Sequence, residues 1–206
     1  MELIPIIESL RHKRSVFHSE ADFQFALAWE IQQSNSDTEI RLEYPPKDEP
    51  NKYIDILVRH EEFVFPIELK YKTKNLSVLV DGEQFTLKNH GVQDLGAYDF
   101  VKDICRSESF ATHLDGFKCG YVIWLTNDPY YWNAPKNPNA GYAEFSIHDG
   151  ATKAGVMKWG SNLSLGTIKG REQELMLKSE YLISWNEYSD LGTKSGSFKY
   201  ALIRTT

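Results

Sequence analysis

Residues 53–74 read YIDILVRHEEFVFPIELKYKTK, and this stretch decides the fold prediction. Two runs rich in Ile, Val and Phe flank Glu61 and Glu62, a pattern that predicts a β-hairpin with its turn at that acidic pair. Side chains of a strand alternate between its two faces. The second run therefore has one apolar face and one charged face. The apolar face carries Phe63, Phe65, Ile67, Leu69 and Tyr71, and the charged face carries Glu68, Lys70 and Lys72.

The same hairpin sets two acidic side chains against each other. With the turn at Glu61 and Glu62, Asp55 lies directly opposite Glu68 on the neighbouring strand. Cross-strand neighbours have Cβ atoms about 4.5 to 5.5 Å apart, and like charges in such positions destabilise a sheet. A divalent cation would offset this repulsion, since Mg²⁺ is bound by one or two carboxylates while it keeps several waters. We therefore expect Asp55 and Glu68 to hold Mg²⁺, with Lys70 beside the ion.

A helix precedes the hairpin and supplies a third acid. The segment Ser19 to Asp22 has the form of a capping box, so we predict a helix from about Glu20 to Gln33. One stripe of this helix, otherwise directed to the core, contains Glu20, Gln24, Leu27 and Ile31. Glu20 thus stands in the first turn of the helix, where it can face the predicted metal site.

The other regular segments up to Asp128 surround the hairpin. They are a strand at TEIRLEYPP (38–46), a helix from Gln93 to about Ser107, and an apolar strand in KCGYVIWLTND (118–128). The first of these completes a three-stranded antiparallel meander with the hairpin. The predicted order is therefore helix, three strands, helix and strand, which indicates an α/β domain with a mixed sheet flanked by helices.

The rest of the chain gives a weaker pattern. Beyond Asp128 the sequence is rich in Pro, Asn, Gly and aromatic residues, so we predict a long loop region that extends to about residue 176. Strands resume near MLKSEYLISWNEYS (176–189) and SFKYALIRT (197–205). We predict a single domain over residues 1–206, with its core at about 15–128 and a loop-rich β extension over 129–206.

Composition narrows the class of protein. The chain has 206 residues, 41% of them hydrophobic, and a net charge of −6, which argues against coating nucleic acid by charge alone but leaves a local basic patch open. The start, MELIPIIESLRHKR, lacks the apolar run and charge order of a signal peptide, and no segment approaches about 18 apolar residues. We therefore expect a cytoplasmic protein. Cys105 and Cys119 lack the spacing of a zinc or disulfide motif.

The acids and the lysine together indicate phosphodiester hydrolysis. A bound metal ion polarises a phosphate and lowers the pKa of a bound water, and Lys70 would orient that water or offset charge in the transition state. An isolated Glu-x-Lys on a strand is usually ordinary solvated surface. The interpretation therefore depends on Asp55 and the two flanking helices. No phosphate-binding glycine loop is present, so ATP-driven activity is not expected.

These residues and their order resemble the PD-(D/E)xK, or restriction-endonuclease-like, nuclease superfamily. The resemblance covers roughly residues 15–128 and implies a restriction-endonuclease-like core. It assigns the second-strand acid to Asp55, the third-strand acid and lysine to Glu68 and Lys70, and the first-helix glutamate to Glu20. These four residues form the expected catalytic set. There are two departures: Ile54 stands where many members have proline, and Pro66 interrupts the third strand.

The resemblance also implies a substrate and a cofactor. We expect an endonuclease or exonuclease that uses Mg²⁺, with Mn²⁺ as a substitute, and acts on DNA in restriction, defence or repair. The expected substrate-binding residues are Lys72, Lys74, Gln93 and Tyr98. No membrane partner is expected, and a homodimer stays open. The alternative is a catalytically silent nuclease-like module that binds nucleic acid or protein.

Overall fold

A six-stranded mixed β-sheet organises the part of the chain that the computed structural model describes, residues 1–47, 51–164 and 166–206. Its strand order is β1-β2-β3-β6-β10-β9, and two further strand pairs, β4 with β5 and β7 with β8, stand apart from it. The predicted α/β class with a mixed sheet is confirmed. In chain order, the elements are α1 (Ile4–Lys13), α2 (Glu20–Ser34), β1 (Glu39–Tyr44), β2 (Ile54–His60), β3 (Phe63–Lys72), β4 (Leu76–Val80), β5 (Glu83–Leu87), α3 (Gln93–Ser109), β6 (Gly120–Thr126), α4 (Pro129–Trp132), β7 (Thr152–Met157), β8 (Leu175–Leu182), β9 (Trp185–Asp190) and β10 (Ser197–Thr205).

The β2–β3 hairpin has the predicted register. Ile56 pairs with Ile67, and the antiparallel pairing continues through Pro66 without a shift. The proline therefore produces no bulge between the two strands, although it removes a backbone donor. Asp55 and Glu68 lie next to the last backbone pair, Ile56 with Ile67, at the end of the hairpin away from its turn.

The second half of β3 pairs with β6 in parallel, so that Glu68 lies beside Val122 and Lys70 beside Trp124. A parallel pair needs a long crossover connection. Here the connection contains the β4–β5 hairpin and α3. The sheet then continues with β10 and β9 in antiparallel pairing.

Two large apolar cores cover the two faces of the sheet, and a smaller apolar cluster lies beside the β2–β3 hairpin. The first lies between the sheet and helices α1 and α2, and it includes the predicted apolar face of β3, where Phe65, Ile67, Leu69 and Tyr71 are all buried. The second lies under α3 and the β7–β8 pair. Glu68 and Lys70 project to this second side, so their face of β3 is covered by a helix and is not open solvent surface.

The sequence prediction missed helix α1, the β4–β5 hairpin, the short helix α4 and strand β7. Helix α1 begins with Pro5 near its start and buries Ile6, Ile7 and Leu10 at helical spacing. The β4–β5 hairpin turns at Asp81 and Gly82, both with positive φ, which is the pattern of a tight Asp-Gly hairpin turn. Strand β7 lies inside the predicted loop region and pairs with β8. Among the described residues, no helix is long and apolar enough to cross a membrane.

Candidate functional site

The site lies along the edge of β3, at the point near the start of β2 where the pairing between the two strands ends. There the backbone N–H groups of Leu69 and Tyr71 have no strand partner, and two acids accept their hydrogen bonds instead. Asp55 Oδ2 accepts from the N–H of Leu69 at 2.7 Å, and Glu20 Oε2 accepts from the N–H of Tyr71 at 2.8 Å. Two of the predicted catalytic acids are thus held side by side along one strand edge.

Local structure fixes the position of each of these acids. Glu20 opens α2, whose N-cap Ser19 accepts a hydrogen bond from the N–H of Asp22. On the same helix, the buried Gln24 donates to the backbone carbonyl of Asp55 at 2.6 Å. Helix α2 therefore positions both Glu20 and the strand that carries Asp55.

The charged face of β3 meets α3. Lys70 Nζ lies 3.0 Å from Asp103 Oδ2, and an amino group of Arg106 lies 2.7 Å from Glu68 Oε1. Arg106 also donates to the backbone carbonyl of Tyr53 at 2.8 Å. Asp103 and Arg106 are three residues apart, on neighbouring turns of one helix face. The predicted catalytic pair of β3 is therefore matched by an oppositely charged pair from α3.

Burial changes the protonation of this cluster. Burial raises the pKa of Asp55 to about 6, against the opposing effects of its hydrogen bond from Leu69 and of Lys70. Glu68 is only 2% exposed. Its pKa is raised well above the ordinary value by burial and by the charges of Asp55 and Asp103. Burial lowers the pKa of Lys70, but Asp103, Asp55 and Glu20 outweigh it, so the net shift is upward.

Carboxylates outnumber cations in this group. The carboxylate cluster consists of Glu20, Asp55, Glu68 and Asp103, and two of its members pair with cations, Asp103 with Lys70 and Glu68 with Arg106. Carboxylate oxygens are the ligands that a hard divalent cation requires. Within the described residues, no three His, Cys, Asp or Glu side chains already stand in metal-binding geometry. Binding an ion through Asp55 and Glu68 would therefore require Glu68 to exchange its contact with Arg106 for the metal.

Two of the predicted substrate-binding residues converge on a buried acid. Asp128 is 1% exposed, receives a hydrogen bond from Gln93 Nε2 at 3.1 Å, and lies 3.4 Å from Lys74 Nζ. It also caps the short helix α4 by accepting from the N–H of Tyr130. Gln93 and Lys74 therefore both contact Asp128.

The other two predicted substrate-binding residues lie in different surroundings. Lys72 lies at the half-buried end of β3, two residues beyond Lys70. Tyr98 is buried in the second core, where its ring packs against Phe145 and Trp159 and its hydroxyl donates to the carbonyl of Gln173. The structure does not bring Tyr98 to the carboxylate cluster.

A cleft of about 560 Å³ opens onto the cluster. Its walls include Lys52, Tyr53, Lys70, Lys102, Asp103 and Arg106. It is termed the Lys70 cleft here. Most of the charged groups lining it are cationic, so a phosphate group entering it would meet favourable charge.

Two residues of the site were not predicted from the sequence, Asp103 and Arg106. Both lie on α3 beside the apolar stripe formed by Ala97, Phe100, Val101 and Ile104. A charged stripe next to a buried stripe was the available signal, because such residues lie at the border of a helix–sheet contact.

Comparisons with protein-family models, with curated proteins and with solved structures give no match to this chain.

Proposed function

We propose that this protein is a Mg²⁺-dependent nuclease of the PD-(D/E)xK type that hydrolyses phosphodiester bonds in DNA. One observation carries the proposal: the hairpin register and helix α2 bring Asp55, Glu68, Lys70 and Glu20 together, in a group of carboxylates that are buried or half-buried. The sequence resemblance requires these four residues to meet. A restriction-endonuclease-like core and a role in restriction, defence or repair belong to the same proposal.

Asp55 and Glu68 are the residues that would hold the ion. Mg²⁺, or Mn²⁺ in its place, would polarise the scissile phosphate and lower the pKa of a bound water. With Glu68 turned to the metal, the guanidinium of Arg106, which lines the Lys70 cleft, would face the negatively charged phosphate. Asp55 and Glu20 each use one oxygen to accept a backbone N–H, so each would offer its other oxygen to the site. Glu20 takes the less direct role because the resemblance makes Asp55 and Glu68 the metal ligands.

Lys70 acts as a cation in this proposal. Its pKa is raised despite burial, because Asp103, Asp55 and Glu20 stabilise the charged form. A lysine held in the charged form cannot serve as the general base near neutral pH. It can donate hydrogen bonds to the attacking water or to a phosphate oxygen, and its charge can stabilise the transition state. Asp103 holds the ammonium group in position for that role.

The test is an assay on purified protein. Supercoiled plasmid, linear duplex DNA, single-stranded DNA and RNA would each be incubated with Mg²⁺, with Mn²⁺ and with EDTA, next to the Lys70→Ala variant. The proposal predicts metal-dependent cleavage of a DNA substrate that EDTA and Lys70→Ala both abolish. Intact substrates under every metal condition, or cleavage that persists in Lys70→Ala, would contradict it.

A second candidate function has its own support. The contacts Arg106–Glu68 and Lys70–Asp103 already neutralise part of the cluster, as expected of a nuclease-like module that binds nucleic acid or protein without turnover. The same samples separate the two functions. A module of this kind would retard DNA in EDTA and in Mg²⁺ alike and leave it uncut, whereas a nuclease would cut it once metal is added.

A further inference from the structure

A second cleft, of about 340 Å³, adjoins the carboxylate cluster at Glu20. It is built from the start of α2, the end of β3 and the segment around the end of β5. Its walls include His18, Glu20, Lys72, Thr86, Lys88 and His90. It is termed the hairpin cleft here, because the β4–β5 hairpin provides one side of it.

The base of that hairpin is fastened firmly to the end of β3. The Thr73 hydroxyl donates to the backbone carbonyl of Lys88 at 2.7 Å, and the Thr73 N–H donates to His90 Nδ1 at 2.9 Å. The N–H of His90 returns a hydrogen bond to the Thr73 carbonyl at 2.7 Å. The buried Phe85 anchors the hairpin in the first core. These contacts fix the backbone of Lys88 and His90 beside the end of β3.

The hydrogen bond from Thr73 also sets the tautomer of His90. A backbone N–H can only donate, so Nδ1 of His90 must accept. The neutral ring then carries its proton on Nε2, which leaves that N–H available as a donor. His18 differs, because its Nε2 contacts Glu83 at 2.8 Å and its ring stacks on Phe85.

Lys72 and Lys88 supply two ammonium groups to this cleft. Among the described residues, the ammonium groups of Lys72 and Lys88 form no hydrogen bond or ion pair. Exposed lysines on their own are ordinary surface. Here they share a concave site with a histidine N–H donor, and they lie on a chain whose net charge is −6. Two ammonium groups and a neutral N–H donor in one concavity suit a monoanionic phosphodiester.

We propose that the hairpin cleft binds a backbone phosphate of the nucleic-acid substrate, through Lys72, Lys88 and His90 Nε2. This inference rests on the proposed function, because it describes how the same site holds its substrate. Lys70 and Lys72 are two residues apart on one face of β3, a separation of roughly 7 Å along the strand. A strand whose reacting phosphate lies at Lys70 thus passes directly to the hairpin cleft.

The test is equilibrium binding in EDTA, which separates binding from cleavage. Fluorescein-labelled DNA and RNA duplexes would be titrated with wild type, Lys88→Gln, His90→Ala and the matched control Lys178→Gln. Lys178 is an exposed lysine of β8 that lines neither cleft. Circular dichroism melting would first establish that the variants are folded, and Lys88→Gln keeps the backbone carbonyl that Thr73 uses.

Salt dependence gives the sharpest readout. Loss of one phosphate contact on duplex DNA reduces the slope of log K against log salt by about 0.9. The ratio of the wild-type affinity to the Lys88→Gln affinity should therefore fall about threefold between about 50 and 200 mM salt. His90→Ala should weaken binding with a smaller change of slope, because it removes a neutral donor. Lys178→Gln should change neither affinity nor slope. An effect on DNA alone, on RNA alone or on both would support the subsite and identify its ligand.

The outcomes also separate this inference from the proposed nuclease activity. If Lys88→Gln binds both duplexes with the affinity and slope of Lys178→Gln, the hairpin cleft is not a phosphate subsite, even if wild type cleaves DNA. If wild type binds and the two cleft variants are impaired but no metal supports cleavage, the subsite stands and the nuclease proposal fails. If wild type binds neither duplex, the subsite proposal fails, and the cleavage assay with added metal decides the nuclease proposal by itself.

Discussion

The ammonium nitrogen of Lys70 lies 3.0 Å from Oδ2 of Asp103, so the lysine of β3 is held by a residue of α3. This contact joins the sheet to the helix that follows it in the chain. Burial of Lys70 lowers its pKa, and the charge of Asp103 is the largest of the effects that raise it. Asp103 therefore contributes most to keeping Lys70 charged, together with Asp55 and Glu20, and it fixes the position of the ammonium group.

Replacing Asp103 should slow the reaction without removing the metal. Asp103→Asn takes away the charge that fixes Lys70, so we expect kcat for DNA cleavage to fall about 10- to 100-fold, as when a supporting contact is lost. KM and the affinity for Mg²⁺ should change little. Asp103→Glu should recover part of kcat, because it restores the carboxylate.

The matched control is Asp99→Asn on the same helix. Asp99 pairs with Arg171 at 2.7 Å, so this variant also loses an ion pair of α3. Asp99 also lines the Lys70 cleft, but its partner is Arg171 and not Lys70, so the variant should lower the melting temperature to a similar small extent and change kcat far less than Asp103→Asn. Equal losses of kcat in the Asp99 and Asp103 variants would show that the effect is structural.

The raised pKa of Asp55 predicts a pH-dependent stability in EDTA. Its pKa of about 6 in the folded chain exceeds the ordinary 3.8, so the folded state binds the proton more tightly than the unfolded state. The free energy of unfolding should therefore fall as the pH rises from about 4 to about 6. Asp55→Asn should escape the part of this loss that comes from Asp55, because the amide oxygen still accepts from the N–H of Leu69. Glu68 and Asp103, whose pKa values burial also raises, should still contribute in the variant.

Thermal melting at two pH values measures this effect. Near pH 8 in EDTA, Asp55→Asn should melt a few degrees above wild type, since about 1 kcal/mol shifts the midpoint by roughly 2–4 °C. Near pH 4 the two midpoints should converge. Saturating Mg²⁺ at pH 8 should raise wild type alone and reverse the order. A variant that melts below wild type near pH 8 in EDTA would show that the ionised Asp55 stabilises the fold.

Glu20 should have an intermediate effect on cleavage. Glu20→Gln keeps an oxygen that can accept from the N–H of Tyr71, but it removes the charge next to Asp55. We expect the cleavage rate at saturating Mg²⁺ to fall about 10- to 100-fold. Asp22→Asn is the control, because Asp22 lies in the same first turn and pairs with Arg14 at 2.8 Å. Wild-type rates in Glu20→Gln would reduce that residue to a helix-terminal acid favoured by the dipole.

Local patterns were enough to predict the centre of the fold. The register between β2 and β3 follows from strand alternation and turn position, and Pro66 does not disturb it. The β4–β5 hairpin could have been predicted in the same way, from Asp81 and Gly82. Strand β7 could not, because its pairing with β8 joins segments across a long connection of irregular sequence.

The missed site residues depend on tertiary packing. The sequence shows that α3 has an apolar stripe, but it does not show which charged neighbour of that stripe faces β3. That choice depends on the rotation of the helix against the sheet, which places Asp103 at Lys70 and Arg106 at Glu68. Tyr98 shows the same limit, since its burial requires Phe145 and Trp159 from the C-terminal half.

The central claim is that Asp55 and Glu68 hold a metal ion while Lys70 serves the chemical step. The most direct test is the rate of DNA cleavage as a function of Mg²⁺ concentration, with calorimetric Mg²⁺ affinity measured on the same samples of wild type, Asp55→Ala, Glu68→Ala and Lys70→Ala. We predict a saturable rate for wild type, loss of both cleavage and metal binding in the two acid variants, and loss of cleavage with metal affinity retained in Lys70→Ala. Wild-type rates in any of the three variants, or cleavage by wild type that does not respond to Mg²⁺, would contradict the claim.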